Sequence, residues 1–270
     1  MTVFVIRDDD TCGFTKPEEI QACYEEIWSE APVSLSVTPF RIPGNDRNLP
    51  DNLMGCNDVF PLHENTDLVH MLKEQIRAGY IDVSLHGYHH LCYNGHPEYI
   101  GGTGLTNKTR EGRAYLEGLF GIDVLSFVPP HNSIGLSGLD AISASHMNLV
   151  NVPSLYSGKQ RSVTARSLIN APAFYWHKKV RRMGYPYILN LGDRKEVEFH
   201  TVGPKSCRKE LFIELDYCCD QDGVFVLSTH YHAFERLTQD GYTVRTLVYD
   251  LINRAMARKD VNFLGINSIW

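Results

Sequence analysis

The sequence predicts an α/β protein in which parallel strands alternate with helices. Seven short runs of apolar and β-branched residues recur along the 270 residues, and segments with apolar side chains at helical spacing lie between them. Such alternation is typical of parallel strands joined by crossover helices. Because about seven of these units fit in one domain, we expect a distorted (β/α) barrel with about seven parallel strands rather than an open sheet.

The predicted strands are short runs that end in polar residues. They are Val3–Arg7, Val33–Thr38, Ile81–His86, Leu125–Val128, Leu149–Val152, Val224–Ser228 and Asn262–Ile266. The predicted helices cover about residues 15–29, 66–78, 108–120 and 243–258. Their limits come from local signals: Thr15 with Glu18 forms a capping box, Thr66 caps the second helix, and Gly79 ends it.

A single domain is expected to span residues 1–270. We find no linker rich in glycine, serine or proline that would separate a second domain. The region around 154–222 is the hardest to assign, because it joins proline-containing segments to the charged run Asp193–Glu198. We interpret it as an elaboration of the barrel that closes over the site.

Composition narrows the class of protein. Hydrophobic residues make up 43% of the chain and charged residues 21%, which is ordinary for a globular protein. The formal net charge of −6 provides no basic field, so neither nucleic acid nor a membrane is expected as a partner. The N-terminal run lacks a cationic leader, and the seven cysteines show no C-x-x-C spacing. We therefore expect a cytoplasmic protein that acts on a small molecule or a saccharide.

Four polar segments follow directly after predicted strands, and the active sites of α/β barrels are built at such strand ends. The first segment is Arg7-Asp8-Asp9-Asp10. Three adjacent carboxylates repel one another where the dielectric is low, so a cation or several hydrogen-bond donors must offset them. Either a solvated acidic turn or a metal ligand beside a general base explains this segment.

The second segment is His86-Gly87-Tyr88-His89-His90. Two histidines four residues apart in one helical turn share a face of that turn, where both can bind one metal ion. Twelve histidines in the chain make this spacing common by chance. Its position after a strand, with Gly87 permitting a sharp turn, favours a metal site over a structural role.

The third segment contains Pro129-Pro130-His131-Asn132. Two consecutive prolines fix the course of the chain, which is either the rigid rim of a pocket or an ordinary strand exit. Pro130, His131 and Asn132 are candidate substrate-binding residues on the first interpretation, and Tyr88 of the second segment is another.

The fourth segment ends the strand Val224–Ser228 with His230 and His232. These two side chains point to the same side if the strand continues. A histidine here can act as a general acid, because the pKa of an imidazole lies near neutrality. His232 is a further candidate for binding substrate, and a purely structural role is the alternative for both.

Together the four segments resemble the polysaccharide deacetylase superfamily, in a divergent branch with an R-x-D-D start. The resemblance extends in order over most of the chain, and it is specific in three short motifs. The matching residues are Arg7, Asp9 and Asp10 for R-x-D-D, His86 and His90 for H-x-x-x-H, and Leu227 and His230 for L-x-x-H. It implies the NodB-homology fold, which is a distorted (β/α) barrel.

The resemblance also implies a role for each motif residue. Asp9 would be the catalytic base and His230 the catalytic acid. The metal ligands would be Asp10, His86 and His90. A register shifted by one residue, with Asp8 and Asp9 as base and ligand, is the alternative.

One motif of the superfamily is incomplete here. Its third motif usually carries an arginine two residues before a proline, and this arginine orients the base. In this sequence that place falls on Phe127 or Val128. Arg7 is the candidate substitute because it is close to Asp9 in sequence.

The resemblance implies a metal-dependent hydrolase that removes an N-acyl group, in the first place N-acetyl, from a sugar or sugar conjugate. Two histidines and a carboxylate suit zinc, and also iron, cobalt or manganese; we expect zinc. Three alternatives stay open at this point. They are a hydrolase of a non-sugar amide or imide, an iron oxygenase with the same ligand set, and a non-catalytic sugar-binding relative.

Overall fold

The computed structural model describes residues 1–46, 49, 51–153, 155 and 165–270. Its strands are β1 (Thr2–Thr11), β2 (Val33–Val37), β3 (Phe40–Arg41), β4 (Phe60–Pro61), β5 (Ile81–Leu85), β6 (Ser126–Phe127), β7 (Asn148–Val150), β8 (Leu189–Asn190), β9 (Lys195–Val197), β10 (Phe199–Thr201), β11 (Val224–Thr229) and β12 (Val261–Phe263). Its helices are α1 (Pro17–Tyr24), α2 (Thr66–Ala78), α3 (Glu98–Gly101), α4 (Leu105–Phe120), α5 (Leu136–Ala144), α6 (Ala165–Tyr175), α7 (Arg208–Asp220) and α8 (Val244–Met256). A π-helical segment, Trp176–Arg181, continues α6.

Within the described residues, ten strands form one sheet. Their order is β10-β11-β1-β2-β5-β6-β7-β9-β8, and β12 lies beside β1. The pairings are parallel except for that of β8 with β9. Parallel strands are covered on both faces, and no residue of β1 or β2 is exposed. The predicted α/β class with a mostly parallel sheet is therefore confirmed.

Two strands from opposite sides of this sheet are neighbours in the chain. Glu198 alone separates β9 from β10; β9 pairs with β7 and β8, whereas β10 pairs with β11 at the other edge. Closure of the sheet into a barrel stays a prediction. Both strands belong to the region 154–222, which we had interpreted as an elaboration, and residues 154 and 156–164 of that region lie outside the described residues. The described part supplies strands to the sheet itself.

The first predicted helix starts later than its sequence signals indicate. We expected Thr15 and Glu18 to form the capping box, but α1 begins at Pro17. The carboxylate that reaches back is that of Glu19, which accepts a hydrogen bond from the backbone N–H of Lys16 at 2.9 Å. The shift arises because the hydroxyl of Thr15 is engaged elsewhere: it accepts from the backbone N–H of Cys12 at 3.0 Å and shares a hydrogen bond with the hydroxyl of Tyr231 at 2.9 Å.

The second predicted helix shows a similar shift of one residue at its start. Asn65, rather than Thr66, caps α2, and its side chain accepts from the backbone N–H of Leu68 at 3.1 Å. The predicted end is confirmed, since Gly79 adopts the left-handed conformation with φ of 78°.

The last predicted strand is shorter than expected, because the chain turns to anchor itself under the sheet. After β12, the backbone N–H of Asn267 donates to Asp82 at 2.8 Å, and its side-chain amide donates to the same carboxylate at 2.6 Å. These bonds fasten the C-terminal segment beneath β5. Among the described residues, no helix is long and apolar enough to cross a membrane.

Candidate metal centre and active site

A cleft of about 240 Å³ opens beyond the carboxyl ends of β1, β5 and β11. This is the edge where the sequence places its polar segments, and where open and closed α/β sheets carry their sites. The residues that line it are Asp9, Asp10, Asp46, His86, His90, His131, Asn132, Gly203, Pro204, His230, His232, Ala233 and Arg236.

The three consecutive aspartates of β1 do not share one environment. The pairing of β1 with β2 is irregular between Asp8 and Thr11, and Asp10 has a φ of 74°. This positive φ is uncommon for a residue with a side chain, and strained backbone of this kind concentrates at functional sites. The irregularity breaks the alternation of a strand, so that Asp9 and Asp10 both line the cleft.

Asp8 faces the core. Its carboxylate accepts a short hydrogen bond from the hydroxyl of Tyr24, and the side chain is fully buried. Burial raises the pKa of Asp8 well above its usual range, although the bond from Tyr24 opposes that effect. Of the two registers left open by the sequence, the one with Asp9 and Asp10 is thus the one that brings both carboxylates to the cleft.

Asp9 forms a buried ion pair with Arg7. A guanidinium nitrogen of Arg7 lies 2.6 Å from Oδ2 of Asp9, and the two side chains are 0% and 1% exposed. The same nitrogen donates to Asn132 at 2.9 Å, and the guanidinium lies 4.4 Å from the ring centroid of Phe199. Burial alone would raise the pKa of Asp9, but the charges of Arg7, His86 and His230 outweigh it and lower that pKa.

Asp10 lies between the two histidines of the second segment. Its Oδ1 is 3.2 Å from Nε2 of His86 and 3.1 Å from Nε2 of His90. Burial would raise the pKa of Asp10, but the charge of His90 and hydrogen bonds from the surrounding imidazoles hold it well below its usual range. For His90, burial and then the charge of Arg41 lower the pKa to about 4, so this imidazole is neutral at pH 7.

His86 is oriented from behind. Its Nδ1 lies 3.0 Å from the carbonyl oxygen of Val128. A carbonyl can only accept, so Nδ1 carries a proton, and Nε2, which faces Asp10, is the nitrogen that would bind a metal. This is the arrangement by which metal-binding histidines are usually held.

The segment between the two histidines is not the helical turn that its spacing indicates. Gly87 and His90 have φ of 67° and 55°. The reason is the buried carboxylate of Glu98, which accepts from the backbone N–H of Tyr88 at 2.9 Å and of His89 and His90 at 3.1 Å. These N–H groups donate to a side chain and not to the backbone carbonyls of a helix. The loop nevertheless directs both imidazoles to Asp10.

The donor set fits a divalent metal. The ligand atoms of Asp10, His86 and His90 all lie within 4.8 Å of one another. Tetrahedral ligands at bond lengths of ~2.0 Å lie ~3.3 Å apart, and the contacts of 3.1 and 3.2 Å to Asp10 are close to that spacing. Among the described residues this is the one such group of three or more potential ligands.

The two histidines after β11 line the same cleft. Strand β11 ends at Thr229, and the backbone of His230 beyond it is extended. The side chains of His230 and His232 both line the cleft. Nε2 of His232 lies 3.2 Å from Oδ2 of Asp10, and Nε2 of His230 lies 3.7 Å from it. Burial lowers the pKa of His230, against the opposing charges of Asp10 and Asp9.

Of the residues predicted to bind substrate, His131, Asn132 and His232 line the cleft, while Pro130 and Tyr88 do not. Pro130 lies beneath Gly87, where an added Cβ would be 2.4 Å from its Cγ. Tyr88 is turned away because the loop is not helical, and its ring packs against Phe40 with centroids 4.8 Å apart. The substrate-binding roles of all five residues remain predictions.

Several residues around the cleft were not predicted. Arg41 is buried, donates to the carbonyl of His90 at 2.8 Å and forms an ion pair with Asp46. Asp46 and Arg236 line the cleft, and Glu98 shapes the histidine loop. None of these belongs to a recognisable motif, so only the tertiary structure could find them.

No protein-family model matches the sequence, and it is similar to none of the curated proteins compared. Solved structures are similar in fold. A protein assigned as a polysaccharide deacetylase from Mycobacterium smegmatis superposes with a TM-score of 0.52 at 13% identity, over 99% of this chain and 88% of the other. A 4-alpha-glucanotransferase from Thermococcus litoralis superposes with a TM-score of 0.55 at 12% identity; the match covers 99% of this chain and 40% of that one. A family 4 acetyl xylan esterase from Clostridium thermocellum, in complex with a cobalt ion, superposes with a TM-score of 0.47 at 8% identity; the match covers 99% of this chain and 89% of that one. At these identities the likeness to the first two structures concerns the fold alone, which agrees with the predicted α/β class with a mostly parallel sheet; the barrel stays a prediction.

Proposed function

We propose that this protein is a metal-dependent hydrolase that removes an N-acyl group from a sugar or sugar conjugate. The observation that carries the proposal is the meeting of Asp10, His86 and His90, next to a carboxylate that is separately held by Arg7. A bound divalent metal, which we expect to be zinc, would polarise the acyl oxygen and make water acidic enough to lose a proton near neutral pH.

Asp9 is suited to act as the base. Its lowered pKa keeps it ionised at neutral pH. Arg7 binds only Oδ2, while Oδ1 is buried and has no hydrogen-bond partner in the protein. An unpartnered acceptor in a cleft can take a proton from water, whereas the oxygen bound to Arg7 holds the carboxylate in place.

His230 is suited to protonate the departing nitrogen. An amine is a poor leaving group unless it is protonated as the C–N bond breaks. The lowered pKa of His230 makes its imidazolium a stronger acid, and it reduces the protonated fraction at neutral pH. The charges of Asp10 and Asp9 limit that reduction, and they keep the proton available.

The alternatives differ in what they require of these residues. An iron oxygenase uses two histidines and a carboxylate, but the pair of Arg7 and Asp9 has no purpose in it. A sugar-binding relative without activity needs neither Asp9 nor His230. A hydrolase of a non-sugar amide or imide needs the same residues, so only substrates distinguish it.

Elemental analysis and an amide-hydrolysis assay test the proposal together. Asp10→Ala and His86→Ala are expected to lose bound metal, whereas Asp9→Asn should keep the metal and lose turnover by about 10²-fold or more. His70→Ala is a matched control because that histidine is exposed on α2. The assay should measure acetate or amine release from a panel of N-acetylated sugars and from cyclic imides.

Wild-type metal content in His86→Ala would rule out the ligand assignment. Turnover of imides without turnover of acetylated sugars would show that the substrate is a non-sugar amide or imide. Full activity of His230→Ala on every substrate would show that His230 is not the general acid.

A further inference from the structure

Helix α6 and its π-helical continuation turn polar side chains towards the protein and apolar side chains towards solvent. The side that packs on the protein carries Ser167, Asn170 and His177, with Phe174 between them. Asn170 donates to the carbonyl of Asn190 at 3.0 Å, and His177 contacts the hydroxyl of Tyr217. In a surface helix of a monomeric globular protein, this side is usually the apolar one.

The opposite side, which we call the outer stripe, is apolar and exposed. It consists of Leu168, Ile169, Pro172, Ala173, Trp176 and Val180, at helical spacing. The four large side chains of this stripe are between 50% and 76% exposed. Scattered exposed apolar residues are normal, but a continuous stripe on one helix marks an interaction surface.

The charged residues of α6 and its π-helical continuation are all basic, and one of them, Lys178, is paired with Glu198 at 2.6 Å. No aspartate or glutamate occurs between Asp140 and Asp193, although the chain contains 32 acidic residues. Lys179, Arg181 and Arg182 follow the stripe and are exposed. A net charge of −6 suggested that membranes are avoided, but charges further apart than ~10 Å are largely screened at physiological salt. The local cations therefore decide what can approach this helix.

We propose that the outer stripe docks on an anionic lipid surface, with α6 lying in the plane of the interface. An apolar stripe with a tryptophan, bordered by lysine and arginine, is how helices insert at the boundary of headgroups and acyl chains. Tyr175 is 63% exposed beside Trp176, and both residue types are enriched at this depth of a bilayer. A second copy of this chain is the less favourable occupant, because two such helices would bring cations against cations.

The proposal does not depend on the reaction catalysed in the cleft. Its test is binding of the purified full chain to vesicles, measured by flotation and by tryptophan fluorescence, to which Trp176 contributes as the most exposed of the three tryptophans. One set of vesicles contains phosphatidylcholine alone, and the other contains roughly one-third phosphatidylglycerol. We expect binding to the second set only, with a blue shift of emission, and weaker binding at high salt.

Two variants separate the apolar and the charged contributions. Leu168→Ser with Ile169→Ser should abolish the blue shift and reduce binding. Lys179→Glu with Arg182→Glu should lower the partition coefficient by about tenfold or more, since each basic residue near an anionic surface contributes about 1 kcal/mol. Matched controls are Leu237→Ser, which is 62% exposed elsewhere, and Arg77→Glu with Lys209→Glu, both exposed on other helices.

Equal binding to both vesicle sets, or binding that the controls reduce as much as the variants, would overturn the proposal. So would a dimer in solution that Leu168→Ser with Ile169→Ser converts to a monomer, because a second copy would then cover the stripe. Unchanged thermal unfolding of all variants ensures that a loss of binding reports on the surface.

Discussion

Replacing Arg7 by methionine tests whether this arginine holds the proposed base. Methionine keeps most of the side-chain volume and removes the guanidinium from a pair that is at most 1% exposed. Removing one partner of such a buried pair costs about 3–5 kcal/mol, because the remaining charge has no compensation. We therefore expect the free energy of unfolding to fall by about that amount, as measured by urea denaturation.

The effect on turnover should be separable from the effect on folding. Without Arg7, the carboxylate of Asp9 loses its largest lowering influence, and its pKa rises. We expect kcat to fall by about 10²-fold with metal content unchanged, because the contacts of Arg7 are with Asp9, Asn132 and Phe199 and not with the proposed metal ligands. Arg7→Lys keeps the charge without the forked geometry, so its loss should be smaller.

A double-mutant cycle provides the decisive control. Arg7→Met with Asp9→Asn removes both charges, so stability should return towards the wild type while activity stays absent. Strictly additive losses of stability would show that the two side chains do not interact energetically. Wild-type kcat in Arg7→Met would refute the positioning role.

Three further predictions concern the histidine loop and the core. Gly87→Ala should destabilise the fold and weaken metal binding, because the added Cβ would lie 2.4 Å from Pro130 and the residue has a positive φ. Gly95→Ala is the control, since Gly95 also has a positive φ but its added Cβ would have no atom within 4 Å. Equal metal affinity in both variants would contradict the reasoning. Glu98→Ala removes the acceptor of three N–H groups, of which that of His90 is buried and those of Tyr88 and His89 are half-buried. Calorimetry should therefore show a loss of about 2 kcal/mol or more, and an unchanged melting temperature would disprove it. Burial raises the pKa of Asp82, so ionisation opposes folding and wild-type stability relative to Asp82→Asn should increase as the pH falls from 7 through the folded-state pKa. Urea unfolding at several pH values checks this, and a difference that is independent of pH would contradict it.

The meeting of Asp10 with His86 and His90 follows from information that is local in sequence. Each lies just after a strand, and the carboxyl ends of parallel strands share one edge of a sheet. The pairing of Arg7 with Asp9 could also have been anticipated. Residues two apart in a strand point to the same side, so the guanidinium of Arg7 can reach the carboxylate of Asp9 within β1.

Other features depend on contacts that no local pattern encodes. The histidine loop is not helical because Glu98, eight residues beyond His90, binds its N–H groups. The packing of Tyr88 against Phe40 instead of in the cleft is likewise a feature that the sequence does not show. The strands β9 and β10 have three residues each, which is too short for a period of two to be recognised.

The central position of β1 has a consequence for biosynthesis. β1 is synthesised long before its partners β11 and β12, with which it pairs across more than two hundred residues of chain (Val3 with Val224, for example). A nascent polypeptide therefore carries the carboxylates of the cleft on a strand with an unsatisfied edge until β11 and β12 have been synthesised. High contact order of this kind slows folding and prolongs exposure to aggregation, so synthesis in cells should depend on chaperones more than the size of the protein suggests.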